Sequence, residues 1–117
     1  MAEAIPQGEL PKVVEEFAAQ YPEVWEAYNR LGEAIAQAGP LDERTQRLVK
    51  LAIAIGAQRE GAVHSHTRRA LKAGLPPEEL LHVGILAITT IGWSGAFAAI
   101  TWMNDIIAAK GGKGRSA

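Results

Sequence analysis

LDERTQRLVKLAIAIGAQREGAVHSHTRRALKAG, residues 41–74, decides the fold. It reads as two helices meeting at the short junction AQREG, residues 57–61. Asp42 is an N-cap for the first of them, because its carboxylate can accept from free backbone N–H groups two or three residues on. Leu48, Leu51, Ala52 and Ile55 then recur at helical spacing and make one apolar face. Gly61 is the expected hinge into the second helix, which runs to Ala73 and is closed by Gly74. Ala62, Val63, Ala70 and Leu71 form its dry face, and Ser65, Arg68, Arg69 and Lys72 its wet one. Arg59, Glu60, His64 and His66 all fall at or just beyond the junction, so any chemistry the chain performs is expected there.

On the N-terminal side, residues 1–9 read as a loose arm, with Pro6 and Gly8 as breakers. A first helix is expected from Leu10 or Pro11 to Gln20, with Val13, Val14 and Phe17 as its apolar stripe. A second starts at Pro22, whose missing N–H is no loss in a first turn. Val24, Trp25, Tyr28, Leu31 and Ile35 keep a helical period, and Gly39-Pro40 stops it. On the C-terminal side, Pro76-Pro77-Glu78-Glu79 opens a fifth helix with acidic groups where the helix dipole favours them. It is expected to reach Ile91. GWSG, residues 92–95, breaks the chain, and a sixth helix follows from Ser94 to Ala109. The tail 111–117 reads as flexible, which leaves residues 10–110 as one helical domain. With no strand alternation and no repeat period, this is an all-α chain of five to six helices.

Composition narrows the function classes. Hydrophobic residues are 48% and charged residues 21%, a globular balance. Lys+Arg is 12 against Asp+Glu 13, so there is no electrostatic ground for a nucleic-acid or anionic-membrane partner. There is no cysteine, which removes disulfides, thiolate metal sites and thiol nucleophiles. The N-terminal residues carry no export signal, so a cytoplasmic location is expected. The uncharged run from Val83 to Met103 is long enough to span a bilayer, but Gly92 and Gly95 interrupt it and Asn104-Asp105 ends it. Two helices buried on nearly all sides fit it better, and a small domain buries helices so fully only when other subunits cover them.

At ~100° per residue, Arg59 and His66, seven positions apart, nearly superpose if the helix starts early enough to include Arg59, while His64 points roughly opposite to His66 and shares a side with Glu60. His66 reads either as a core histidine or as a general acid or base. Glu60 and His64 read as a solvated i,i+4 pair or as helpers that set the charge of His66. The rings of His64 and His66 diverge on a helix and no third ligand converges, so no metal and no cofactor is expected. Arg59 would anchor an anion by a two-pronged hydrogen bond, with Arg47 as a second contact, although Arg47 and Lys50 are of a kind that is normally a surface charge. His82 reads as a surface residue, and Trp25, Trp93 and Trp102 as packing aromatics.

The register from Leu41 to Gly92, and more loosely to Ile107, resembles the carboxymuconolactone decarboxylase family, which also contains alkylhydroperoxidase-like proteins. HTRRALKAG followed by PPEEL carries most of the likeness. The resemblance implies an all-helical subunit with a helix pair at its centre, assembled as a trimer or hexamer. In the peroxidase branch two cysteines stand where this chain has Arg59 and Ala62, a histidine stands at His66, and a glutamate stands at Arg47. Without a thiolate, thiol peroxidase activity is disfavoured. The decarboxylase branch has the Arg at Arg59 and the His at His66, but a glutamate where this chain has Ala62. The resulting expectation is acid–base catalysis, decarboxylation or isomerisation, on a small carboxylate-bearing substrate. His66, Glu60 and His64 would be catalytic, with Arg59 and Arg47 on the substrate. The alternative is a non-catalytic oligomer of the same family that binds a ligand or serves structure.

Overall fold

Residues 10–110 are described by a computed structural model. The expectations for residues 1–9 and 111–117 lie outside the described residues. The chain divides into two compact units, with the boundary between Glu43 and Arg44.

The first unit is a helical hairpin, α1 (Lys12–Gln20) and α2 (Pro22–Ala36). The two share a single joint residue, Tyr21, whose N–H still closes onto Phe17 O at 2.8 Å. Pro22 sits in the first turn of α2, where it lacks nothing it would need. Ala18 and Ala36 are buried. The larger side chains, Val13, Phe17, Val24, Tyr28, Leu31 and Ile35, keep the expected period but are exposed.

The second unit holds α3 (Glu43–Gly56, whose first residue precedes the boundary), α4 (Glu60–Lys72), α5 (Pro77–Leu86), the single turn α6 (Ile88–Ile91) and α7 (Trp93–Lys110). The described residues form six helices longer than two turns, plus that one turn, and no strand. The expected fifth helix is divided at Ala87. Gly92, at φ 100°, then makes the larger break before α7. No helix among the described residues is long and apolar enough to cross a membrane.

The core follows from spacing. Leu51, Ala54 and Ile55 of α3 meet Val63 and Ala70 of α4, Leu80 of α5, and Ala96, Ala99, Met103 and Ile107 of α7. Each fully buried large aliphatic side chain stabilises the unit by roughly 1.5–3 kcal/mol relative to exposure. The most extensive packing is between α4 and α7, then between α5 and α7. Close approach of α5 and α7 needs Gly84, because a Cβ there would lie 2.7 Å from Met103 Cε and 2.8 Å from Ile100 Cγ1. The central pair is therefore α4 with α7.

Two helix ends are built alike from different residues. At the end of α4, Gly74 N–H reaches Leu71 O and Leu75 N–H reaches Ala70 O, both at 3.0 Å, with Gly74 at φ 97°. This is the left-handed helix stop that glycine favours. At the end of α3 the same pair of bonds runs from Gln58 N–H to Ile55 O (2.9 Å) and from Arg59 N–H to Ala54 O (3.2 Å). There the left-handed residue is Gln58, at φ 54°. The turn into α4 thus lies three residues before the expected Gly61 hinge, and Gly61 is an ordinary residue in the first turn of α4.

Candidate functional site

The α3–α4 junction presents its ionisable groups on two different sides of α4, as the ~100° step between residues requires. One side holds His66. The other holds Glu60 and His64.

His66 is half-buried. Its pKa is pushed down from 6.5 to about 4, first because burial disfavours the charged ring, then because Arg69, Lys50 and Arg47 surround it with positive charge. Arg47 and Lys50 lie three apart on α3, and His66 and Arg69 lie three apart on α4. The spacing puts each pair on one helix face. All three cations are half-buried. The Nε of Arg69 is shielded from solvent and has no hydrogen-bond partner among the described residues. A buried guanidinium N–H left unsatisfied costs about 1–3 kcal/mol or more, so it favours any ligand that can accept from it. A neutral imidazole inside an excess of positive charge is a base awaiting an anion.

The remaining residues of the sequence reading fall elsewhere. Arg59 is the N-cap of α4, exposed and extended, and it is not among the charges acting on His66. Glu60 opens α4 and is exposed. His64, four residues on, has its Nε2 3.0 Å from Oδ2 of Asp105 on α7. One oxygen or nitrogen from each of Glu60, His64 and Asp105 comes within 4.8 Å of the others. His66 and Arg47 are therefore brought together, and Glu60 and His64 are brought together, as two separate groups.

Sequence reasoning passed over Lys50, Arg69 and Asp105. The first two carried a usable signal, the three-residue spacing to Arg47 and His66, but isolated Lys and Arg residues are mostly exposed and were read that way. Asp105 carried none, because it reaches His64 only through the packing of α4 on α7. Thr67 was also missed. It is fully buried, in register with Val63 and Ala70, and its Oγ1 has no partner among the described residues.

The model of the carboxymuconolactone decarboxylase family matches residues 22–105. The match starts at α2, earlier than the Leu41 at which the sequence likeness becomes visible. A crystal structure of a carboxymuconolactone decarboxylase family protein from Legionella pneumophila aligns with a TM-score of 0.66 at 23% identity, covering 82% of this chain and 85% of that one. A Burkholderia xenovorans protein, described as a candidate carboxymuconolactone decarboxylase, aligns with a TM-score of 0.61 at 24% identity, over 94% and 88% of the two chains. These two share the fold. An uncharacterized protein from Haemophilus influenzae is 37% identical over 55 residues, which are 47% of this chain and 49% of that protein. The chain thus spans about half the length of that relative.

Proposed function

From the premise that the chain belongs to the carboxymuconolactone decarboxylase family, we propose that it is an acid–base enzyme acting on a small carboxylate-bearing substrate, with His66 as the group that moves the proton. One observation carries this reading. Burial first, and then the charges of Arg69, Lys50 and Arg47 together, favour the neutral form of the His66 imidazole. A neutral ring is the form that can accept a proton. A carboxylate held among the three cations offsets their charge and raises the proton affinity of His66 as the substrate arrives. The base thus gains strength when there is a proton to take, in an isomerisation or a decarboxylation. Arg47 is the second of the two anchors expected from the sequence, after Arg59, and Lys50 and Arg69 join it in this reading. Glu60 and His64 lie with Asp105 on the other side of α4 and take no part in this step, and Arg59 is given no role in it. With no cysteine in the chain, the reaction is not thiol peroxide reduction.

The reading includes self-association into a trimer or hexamer. Support comes from apolar residues left in the open on the second unit: Ile53 at 65% exposure, Leu86 at 57% and Trp93 at 65%. Trp93 lies against Phe97, itself exposed at 42%, so this part of the apolar surface is a continuous one of the kind that marks an interface.

The test is a panel of small mono- and dicarboxylates, with binding read by calorimetry in every variant and by NMR shifts of the His66 ring where it is present, and turnover by product formation. Binding and turnover that both fall at least tenfold in His66→Gln and Arg69→Met support the reading. Turnover unaltered in both variants overturns it. Binding without turnover by any member of the panel favours the ligand-binding alternative.

A further inference from the structure

The side of α4 opposite His66 carries a second constellation that the acid–base reading does not use. Glu60 and His64 sit one helical turn apart on one face, and Asp105 meets them from α7. We propose that Glu60, His64 and Asp105 form a binding site for a divalent first-row transition ion of the zinc type.

Three arguments carry it. The first is donor chemistry. One imidazole nitrogen and two carboxylate oxygens form a mixed N/O set that suits zinc, manganese, iron or nickel. The second is geometry. Bonds of ~2.0–2.1 Å put tetrahedral ligand atoms roughly 3.3 Å apart. His64 Nε2 and Asp105 Oδ2 are already 3.0 Å apart, and all three ligand atoms lie within 4.8 Å of one another. Small rotations of the exposed Asp105 (51%) and the half-buried His64 (25%) would complete the sphere. The third is charge. Two carboxylates facing one imidazole hold two negative charges, and a protonated ring can neutralise only one of them. A divalent ion neutralises both. The ion would take the lone pair of His64 Nε2 and displace whatever proton the ring shares with Asp105, so binding must weaken as pH falls.

Three protein ligands leave at least one position for water, as in catalytic rather than structural zinc sites. The absence of cysteine fits an open, exchangeable site, since closed structural sites mostly rely on thiolates. The ligands also come from the two helices that share the most extensive packing, α4 and α7. Their backbones are therefore held in place whether or not the ion is bound.

The experiment is titration of tag-free full-length protein with Co(II) and Zn(II), followed by calorimetry and by the visible bands of cobalt. One ion per chain is expected, with absorption characteristic of four- or five-coordinate cobalt. Asp105→Asn and His64→Ala should each weaken binding at least tenfold, and His82→Ala, which removes an exposed histidine of α5, should not. Asp105→Asn keeps side-chain shape at an exposed position, so its effect does not depend on how well His64→Ala folds. No saturable binding by wild type, or equal binding by wild type and Asp105→Asn, would overturn the proposal.

Discussion

The side-chain amide of Gln58 donates to the carbonyl of Gly95 at 3.0 Å, tying the end of α3 to the first turn of α7. The same nitrogen donates to Ile55 O, also at 3.0 Å. A non-glycine residue in the left-handed region costs about 1 kcal/mol or more, and these two bonds offset it. Gln58→Ala keeps the backbone cost and loses both bonds, so it should destabilise by about 1–2 kcal/mol. Gln58→Gly loses the bonds but also the cost, and should remain within ~1 kcal/mol of wild type. Chemical unfolding of both variants checks the order. Equal losses in the two would show that the left-handed turn is not where the cost lies.

Two glycines give opposite predictions for one substitution. Gly61, in the first turn of α4, has open space where a Cβ would go. Gly61→Ala should stabilise by about 0.4–1 kcal/mol, because alanine loses less chain entropy in a helix. Gly84 faces Met103 Cε and Ile100 Cγ1 across the α5–α7 contact. Met103 is fully buried, so its methyl has little room to retreat. Overpacking of this kind costs typically ~1–3 kcal/mol, more than the helix preference of alanine returns. Thermal unfolding should therefore show Gly61→Ala above wild type and Gly84→Ala below it.

These residues also show how far the sequence could be read. The stops and starts set by local chemistry were legible: Gly74 closing α4, proline opening α2 and α5, Gly92 breaking before α7. Their causes act within a few residues. The hinge into α4, expected at Gly61, lies at Gln58, where the left-handed turn is held by a bond to Gly95, 37 residues away. The division at Ala87 has no proline or glycine to mark it. The same rule governs the site. The divergence of His64 and His66 follows from helical geometry alone. The meeting of His64 with Asp105, 41 residues apart, exists only once α7 lies against α4.

The apolar face at the start of α7 bears on assembly. The rings of Trp93 and Phe97 lie with centroids 4.4 Å apart, tilted by 47°, yet both are exposed. Trp93→Glu places a negative charge in the first turn of α7, where the helix dipole favours it, so the fold should be kept. In sedimentation analysis the wild-type chain, of 12.5 kDa, should run as a multiple of that mass. Trp93→Glu combined with Phe97→Glu should shift it toward the monomer. A wild-type monomer at tens of micromolar would remove self-association from the proposal.

The pH behaviour of His66 is the sharpest consequence of its surroundings. Its folded pKa, about 4, lies below the ~6.5 of a free imidazole. Between these values the unfolded chain binds the proton and the folded one does not. Stability from this group therefore falls as pH drops from about 6.5 toward about 4, and is flat above that window. His66→Gln removes this contribution, so the wild-type stability curve should fall more steeply than the variant curve inside the window and run parallel to it above. Arg69→Met deletes the largest of the charge effects but leaves the burial that dominates the shift. Its His66 ring, followed by NMR, should titrate higher than in wild type and still below 6.5. Any acid limb of kcat/KM in the free enzyme should move with it. A ring that titrates near 6.5 in wild type would mean that neither burial nor the cations act on it, and one that fails to move in Arg69→Met would mean that Arg69 does not face it.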